Sequence, residues 1–336
     1  MPDPVSVLIL AVPETAGSVL YGMVDVLCAT GNIWQTLVRT EELPAQFSVR
    51  IVTTRDKSFC CGNGIPVNAH ATIEENPAAD ILILPEMWLG PEQHLKGCYG
   101  EVMDFIRQKH AEGSYIYSAC SGAVMLAETG LLDGSAATSH WGYQDLFARE
   151  YPQVRFEPAP SICFADEAGM VVTAGGTSSW HDLMLHIISR HISPGEAMRI
   201  AKVYLLKLHT EGQLPYATLT RNIVHTDGAV LELEESIKVK FREHDLIRQL
   251  IRDSGLPERT LKRRFKKATG QTLIEYIQNL RVEEAKHHLE TTRTAINDIS
   301  FEIGYEDPAF FRRLFKRLTG MTPSEYRKVF HHSSMQ

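Results

Sequence analysis

Cys120 lies in YIYSACSGAVMLAETG (115–130), between a short apolar run and a glycine-led helical stretch. A cysteine at a strand-to-helix turn is placed like a nucleophile. The free N–H groups of the helix start and the helix dipole favour its thiolate. A thiolate can attack a carbonyl or be oxidised. His140, twenty residues on in ATSHW, is the candidate base, and Ser121 sits beside the thiol. A buried, inert cysteine at a tight turn fits the same pattern.

Glu14, Glu86, Trp88, Cys120, His140, Trp141 and Gly176 each closely follow a run that reads as a strand. Open α/β sheets bind ligands beyond the carboxyl ends of their strands. A carboxylate among indole rings suits a cationic nitrogen ligand through charge and cation–π attraction. Core packing is the alternative for each tryptophan, and Trp34 and Trp180 are assigned to the core.

The elements that would position these residues alternate. VSVLILAV (5–12), FSVRIVTT (47–54), ADILILPE (79–86) and SYIYSA (114–119) are continuous apolar runs, so the strands are buried on both faces. Helical stretches separate them, as in GSVLYGMVDVLCATG (17–31). This predicts an open, mostly parallel sheet flanked by helices, flavodoxin-like in kind. Residues 178–192 read as its last helix, ending the domain near Ser193. Residues 194–209 read as a further helix and 210–230 as a linker.

The chain after Leu231 is helical and repeats itself. TLKRRFKKATGQTLIEY (260–276) realigns with FFRRLFKRLTGMTPSEY (310–326), fifty residues on. Each copy follows a short helical stretch and a glycine turn, the helix-turn-helix layout. With Arg259 at 0°, Lys262, Arg263 and Lys266 fall at about −60°, +40° and −20°, whereas Leu261, Phe265 and Ala268 lie near 200°, 240° and 180°. One face is basic and its opposite apolar. In the second copy Ala309, Arg312, Arg313 and Lys316 form the corresponding face, and Asp307 with Pro308 can start that helix. A major groove accepts such a face: arginine or lysine to guanine edges, the rest to phosphates.

Charge is distributed to match. Of 34 Lys+Arg and 41 Asp+Glu in 336 residues, residues 240–336 hold 19 and 13, a net of +6, leaving 15 and 28, a net of −13, in residues 1–239. A polyanion partner is implied for the second part only. The six cysteines form no CxxC pair and no zinc spacing, so neither metal nor cofactor is expected. No apolar run is long enough to span a membrane, and the start lacks a signal peptide's basic flank, so the cytoplasm is the expected location.

Residues 231–330 resemble the AraC/XylS-type DNA-binding domain, carried by the two repeated units and the closing TGMTPSEYRKVF. The resemblance implies a transcription regulator, usually an activator, on adjacent major grooves. Pro257 stands where that family usually has a serine cap. Residues 1–193 resemble the ThiJ/PfpI group of the class I glutamine-amidotransferase-like superfamily, through YIYSACSGAVMLAETGLLDG and ATSHW. The combination is similar to the GlxA-like regulators, which implies response to an amino acid or quaternary amine. Three departures count against turnover. Val19 occupies the place of the glutamate in enzymatic relatives, Glu86 and Met87 replace a glycine pair, and Ser121 replaces the histidine of some proteolytic relatives.

The sequence therefore predicts a sensing and dimerising domain (1–193), a linker helix and linker (194–230) and a double helix-turn-helix domain (231–330). The expected partners are double-stranded DNA, a small nitrogenous effector and a second copy of the chain. Two alternatives remain: a cysteine-dependent hydrolase or lyase with a DNA-docking tail, and a Cys120 redox sensor.

Overall fold

A computed structural model describes residues 3–41, 43–90, 92–220 and 225–331. It divides the chain into two compact units, residues 1–213 and 214–336.

Unit one runs β1 (Val5–Leu10), α1 (Gly17–Cys28), α2 (Ile33–Val38), β2 (Phe47–Thr53), β3 (Ser58–Cys61), β4 (Ile65–Asn68), β5 (Ala71–Thr72), β6 (Ile81–Leu84), α3 (Gly100–Ala111) and β7 (Tyr115–Ala119). It continues α4 (Gly122–Glu128), β8 (Ala136–Ala137), α5 (Gln144–Glu150), β9 (Arg155–Phe156), β10 (Ile162–Phe164), β11 (Val171–Ala174), α6 (Trp180–His191) and α7 (Pro194–Val203). The main sheet has the order β10-β11-β7-β6-β1-β2-β5 and is parallel except for β10. Every residue of β6 and β11 is buried, which is why their sequences are apolar without alternation. Side chains alternate between the two faces. Leu8, Leu10, Leu82 and Leu84 join one core with α3, α4 and α5, while Val7, Ile9, Ile81 and Ile83 join another with α1 and α6.

The expected linker at 194–230 is corrected for its first part. Ala197 and Ile200 of α7 are buried in the α1–α6 core, and Ser193 caps the helix by accepting from Glu196 N–H. An amphipathic helix whose apolar face is buried in a core is part of that domain. The helix ends at Val203 rather than 209, and the chain stays with unit one through Gln213. Residues 221–224 of the expected linker lie outside the described residues.

Unit two contains α8 (Gly228–Lys240), α9 (Leu246–Asp253), α10 (Glu258–Thr269), α11 (Leu273–Thr291), α12 (Ile296–Glu302), α13 (Pro308–Thr319) and α14 (Pro323–Phe330). The sequence repeat is also a repeat of local chemistry. Thr272 and Thr322 each form a capping box with Glu275 and Glu325, and Gly270 and Gly320 each end the preceding helix in the left-handed region. Two small cores result, one around Leu261 and Phe265, the other around Phe311 and Phe315. Among the described residues no helix is long and apolar enough to cross a membrane.

Candidate ligand pocket and nucleic-acid interface

β7 delivers Cys120 to a tight turn at φ 52°, left-handed for a non-glycine residue. Gly122 makes the turn feasible, since a Cβ there would lie 2.3 Å from the Leu84 carbonyl oxygen. The thiol is only 2% exposed. Burial pushes its pKa far up, and the neighbouring Glu86 carboxylate pushes it further. Only the Ser121 amide and the Thr177 hydroxyl act in the opposite sense. Desolvation and Glu86 thus oppose the thiolate that the helix N-terminus would favour.

Cys120 and His140 are not joined by a hydrogen bond among the described residues. His140 Nδ1 accepts from Gly142 N–H at 3.0 Å, which leaves Nε2 to carry the proton in the neutral ring. Burial lowers the pKa of that ring. It lies against Gly176, where a Cβ would meet Cδ2 at 3.2 Å, and against Trp141 at 4.8 Å between centroids. The group beside the thiol is Glu86, whose Oε1 accepts from Thr177 Oγ1 at 3.1 Å. Burial raises the Glu86 carboxyl above its usual range, partly offset by that hydroxyl and the thiol. Ser121 faces away from solvent, donating to Met87 O at 2.6 Å and accepting from Met87 N–H at 2.7 Å. It holds the loop after β6 in place.

The eight expected ligand residues thus divide. Glu14 and Trp88 line a cavity of about 440 Å³ with Met87, Leu89, Glu92, His94 and Tyr99. Cys120, Ser121, Glu86, His140, Trp141 and Gly176 are not among its walls. Trp88 is 58% exposed, and its indole covers Gly62. The Tyr99 hydroxyl donates to Glu14 and, buried beside that carboxylate, has its pKa raised. No sequence motif marks Tyr99; its tie to Glu14 spans 85 positions. Among the described residues no group of three or more His, Cys, Asp or Glu could hold a metal.

In unit two, α9 and α12 each lead through a left-handed glycine, Gly255 or Gly304, to a basic helix. Arg259, Lys262, Arg263 and Lys266 are exposed on α10, with Leu261 and Phe265 buried opposite. Ala309, Arg312, Arg313 and Lys316 are exposed on α13, with Phe311, Leu314 and Phe315 buried. Arg259, Arg263, Lys266 and Lys316 make no ion pair or hydrogen bond among the described residues. Lys262 pairs with Glu258, Arg312 donates to Asn297 Oδ1 at 2.6 Å, and Arg313 lies 3.9 Å from Asp307. Asp307 caps α13 by accepting from Ala309 N–H at 2.8 Å, while Pro257 gives α10 no side-chain cap.

Three supporting residues carried no sequence signal. Arg264 forks onto Asp227, the cap of α8, at 2.6 and 3.1 Å. Arg281, 8% exposed, donates to the carbonyls of Phe241, Glu243 and Gly304 at 2.6, 2.8 and 2.9 Å. Gln213, 4% exposed, ends unit one. Their partners are mostly main-chain atoms or distant residues.

An open parallel sheet with a cysteine elbow, followed by paired helix-turn-helix units, is the architecture of an AraC-type transcriptional regulator. The DJ-1/PfpI family model matches residues 7–190, more than half of the chain, so the protein belongs to the DJ-1/PfpI family. A helix-turn-helix domain model matches residues 250–329. The HTH-type transcriptional regulator CdhR of Pseudomonas aeruginosa is 26% identical over 275 residues, covering 80% of this chain and 77% of that protein. The HTH-type transcriptional regulator GlxA of Rhizobium meliloti is 27% identical over 225 residues, 66% and 68% of the two chains. A solved structure from Vibrio parahaemolyticus shares the fold of unit one at 20% identity and a TM-score of 0.50, covering 61% of this chain and all of that one.

Proposed function

We propose that the protein is a ligand-responsive transcription regulator that reads double-stranded DNA with α10 and α13. The observation that carries the reading is the repeated pair of exposed basic faces, each backed by a buried apolar face and each preceded by a short helix and glycine turn. Arg259, Lys262, Arg263 and Lys266 serve one half of the operator, and Ala309, Arg312, Arg313 and Lys316 the other. Two copies of the chain on adjacent half-sites raise each other's effective concentration on DNA.

Unit one senses a small cationic nitrogen compound. The cavity beside Glu14 supports this: a carboxylate with Trp88 and Tyr99 offers charge and two π faces. Cys120, buried with its pKa pushed up and with no hydrogen bond to His140 among the described residues, is poorly placed for nucleophilic catalysis, so the hydrolase reading is set aside.

The test is the thermal midpoint of the full chain against amino acids, betaines, choline-like amines and small aldehydes, with mass spectrometry of each mixture afterwards. A compound at about 100 times its dissociation constant should add about 2.7 kcal/mol and remain unconsumed. Consumption of many equivalents would establish an enzyme instead. No shift across the panel would remove the proposed ligand class.

A further inference from the structure

Gln213 is the last residue of unit one, and its side chain is buried where two walls of the Cys120 elbow meet. Its Nε2 donates to Thr138 Oγ1 at 3.1 Å, Ser139 O at 3.0 Å and Pro160 O at 3.1 Å. Its Oε1 accepts from Gly176 N–H at 2.7 Å, and its own N–H donates to Ala159 O at 2.8 Å. Both walls lead onward to the elbow. Ser139 Oγ donates to the Cys120 carbonyl at 2.6 Å. Gly176 precedes Thr177, whose hydroxyl holds Glu86.

The surrounding glycines are shaped to this insertion. A Cβ on Gly175 would lie 2.2 Å from Gln213 Nε2. Gly212 has φ 67°, and a Cβ there would lie 2.1 Å from Ala159 O. A second anchor sits four residues earlier. His209 donates its backbone N–H to Asp182 Oδ1 at 3.2 Å and places Nδ1 3.0 Å from Oδ2. Segment 209–213 is thus a strap, pinned to α6 at one end and to the elbow at the other.

We infer that Gln213 transmits the state of the Cys120–Glu86–Thr177 elbow to the chain entering the DNA-binding unit. The next residue, Leu214, begins that unit. A displacement of Gly176 or Ser139 must break or carry with it hydrogen bonds of a side chain that has no solvent alternative, because an unpaired buried amide is costly. The two arrangements, strap seated and strap released, are the two states that coupling requires. The inference rests on the sensing reading for its purpose, but its mechanical content does not need a ligand.

The experiment is a mutant cycle on the full chain read by amide hydrogen exchange. Thr177→Val removes the hydroxyl that ties the strap's wall to Glu86, and Gln213→Ala removes the insertion. Thr177→Val should accelerate exchange in peptides covering 207–220 by about fivefold or more, a normal coupling factor. In the Gln213→Ala background the same change should have little further effect. If Gln213→Ala does not fold, Gln213→Asn replaces it, keeping the amide but shortening its reach. His209→Ala, which removes the ring contact to Asp182 on α6, should combine additively with Thr177→Val. Additive behaviour of the 177–213 pair, or no response at 207–220, overturns the coupling. A ligand-induced thermal shift together with an additive pair would leave sensing intact and remove the strap. A non-additive pair with no ligand shift would do the reverse.

Discussion

Arg281 on α11 donates to the carbonyl of Gly304, 23 residues further along the chain and inside the turn of the second helix-turn-helix. The same guanidinium holds Phe241 and Glu243, between α8 and α9, and lies 5.0 Å from the Tyr305 ring centroid. One buried cation therefore fastens both halves of unit two. Arg281→Ala should destabilise that unit by about 2–4 kcal/mol, because it leaves buried carbonyls unpaired. Arg281→Lys should recover little, since an ammonium cannot reproduce the planar fork. Denaturant unfolding of the full chain, followed by helical circular dichroism, measures both; a loss below about 0.5 kcal/mol for Arg281→Ala would show that water replaces the fork.

Arg263→Ala or Arg313→Ala should reduce discrimination between the selected operator and mismatched sites by about 1–3 kcal/mol per lost base contact. The measurement is competition binding against single-base variants. Unchanged discrimination in both mutants would remove α10 and α13 as reading helices.

Lys266→Ala and Lys316→Ala should weaken binding to all sequences alike. Each lost phosphate contact should flatten the slope of log affinity against log salt by about 0.9. Titrations at several salt concentrations show this directly, and a parental slope in both variants would assign those lysines to solvent.

Cys120 should be the slow cysteine. Cys60 and Cys98 are exposed, whereas Cys120 is buried with its pKa driven up by desolvation and by Glu86. With iodoacetamide at neutral pH, peptide mapping should find Cys60 and Cys98 alkylated first. Preferential labelling of Cys120 would restore the nucleophile and redox readings.

Glu86 gives a pH dependence of definite sign. Burial holds its carboxyl above the ordinary 4.5, so the folded chain keeps a proton that the unfolded chain has released. Stability therefore falls as pH rises from about 4.5 through the folded value. Glu86→Gln should flatten that fall and leave the variant at least as stable at pH 7. Parallel stability curves for the two proteins between pH 4 and 7 would refute the assignment.

The parts that were legible in the sequence are those with a period. β6 and β7 are buried on both faces, so ILIL and YIYSA read as strands without context. Leu261 and Phe265 recur at helical spacing against four basic residues, so the polarity of α10 was readable at once. The β3–β4 hairpin is not among the expected elements, although Asn63 and Gly64, both at positive φ, are a turn signal between short strands. The division of the pocket was not readable. Glu14, Glu86 and Trp88 all follow strands, but position after a strand does not say which side of a loop a side chain takes. Gln213 and Arg281 were illegible for another reason: their partners are chiefly main-chain carbonyls, which every residue possesses.

Of the five hydrogen bonds at Gln213 among the described residues, four engage main-chain atoms and only that to Thr138 engages a side chain. The cavity residues Glu14, Trp88 and Tyr99 take no part in them. Substitutions that retune what the cavity accepts therefore leave the attachment of the strap untouched. In the proposed sensor, recognition and transmission rest on separate residues, and one can diversify while the other stays fixed.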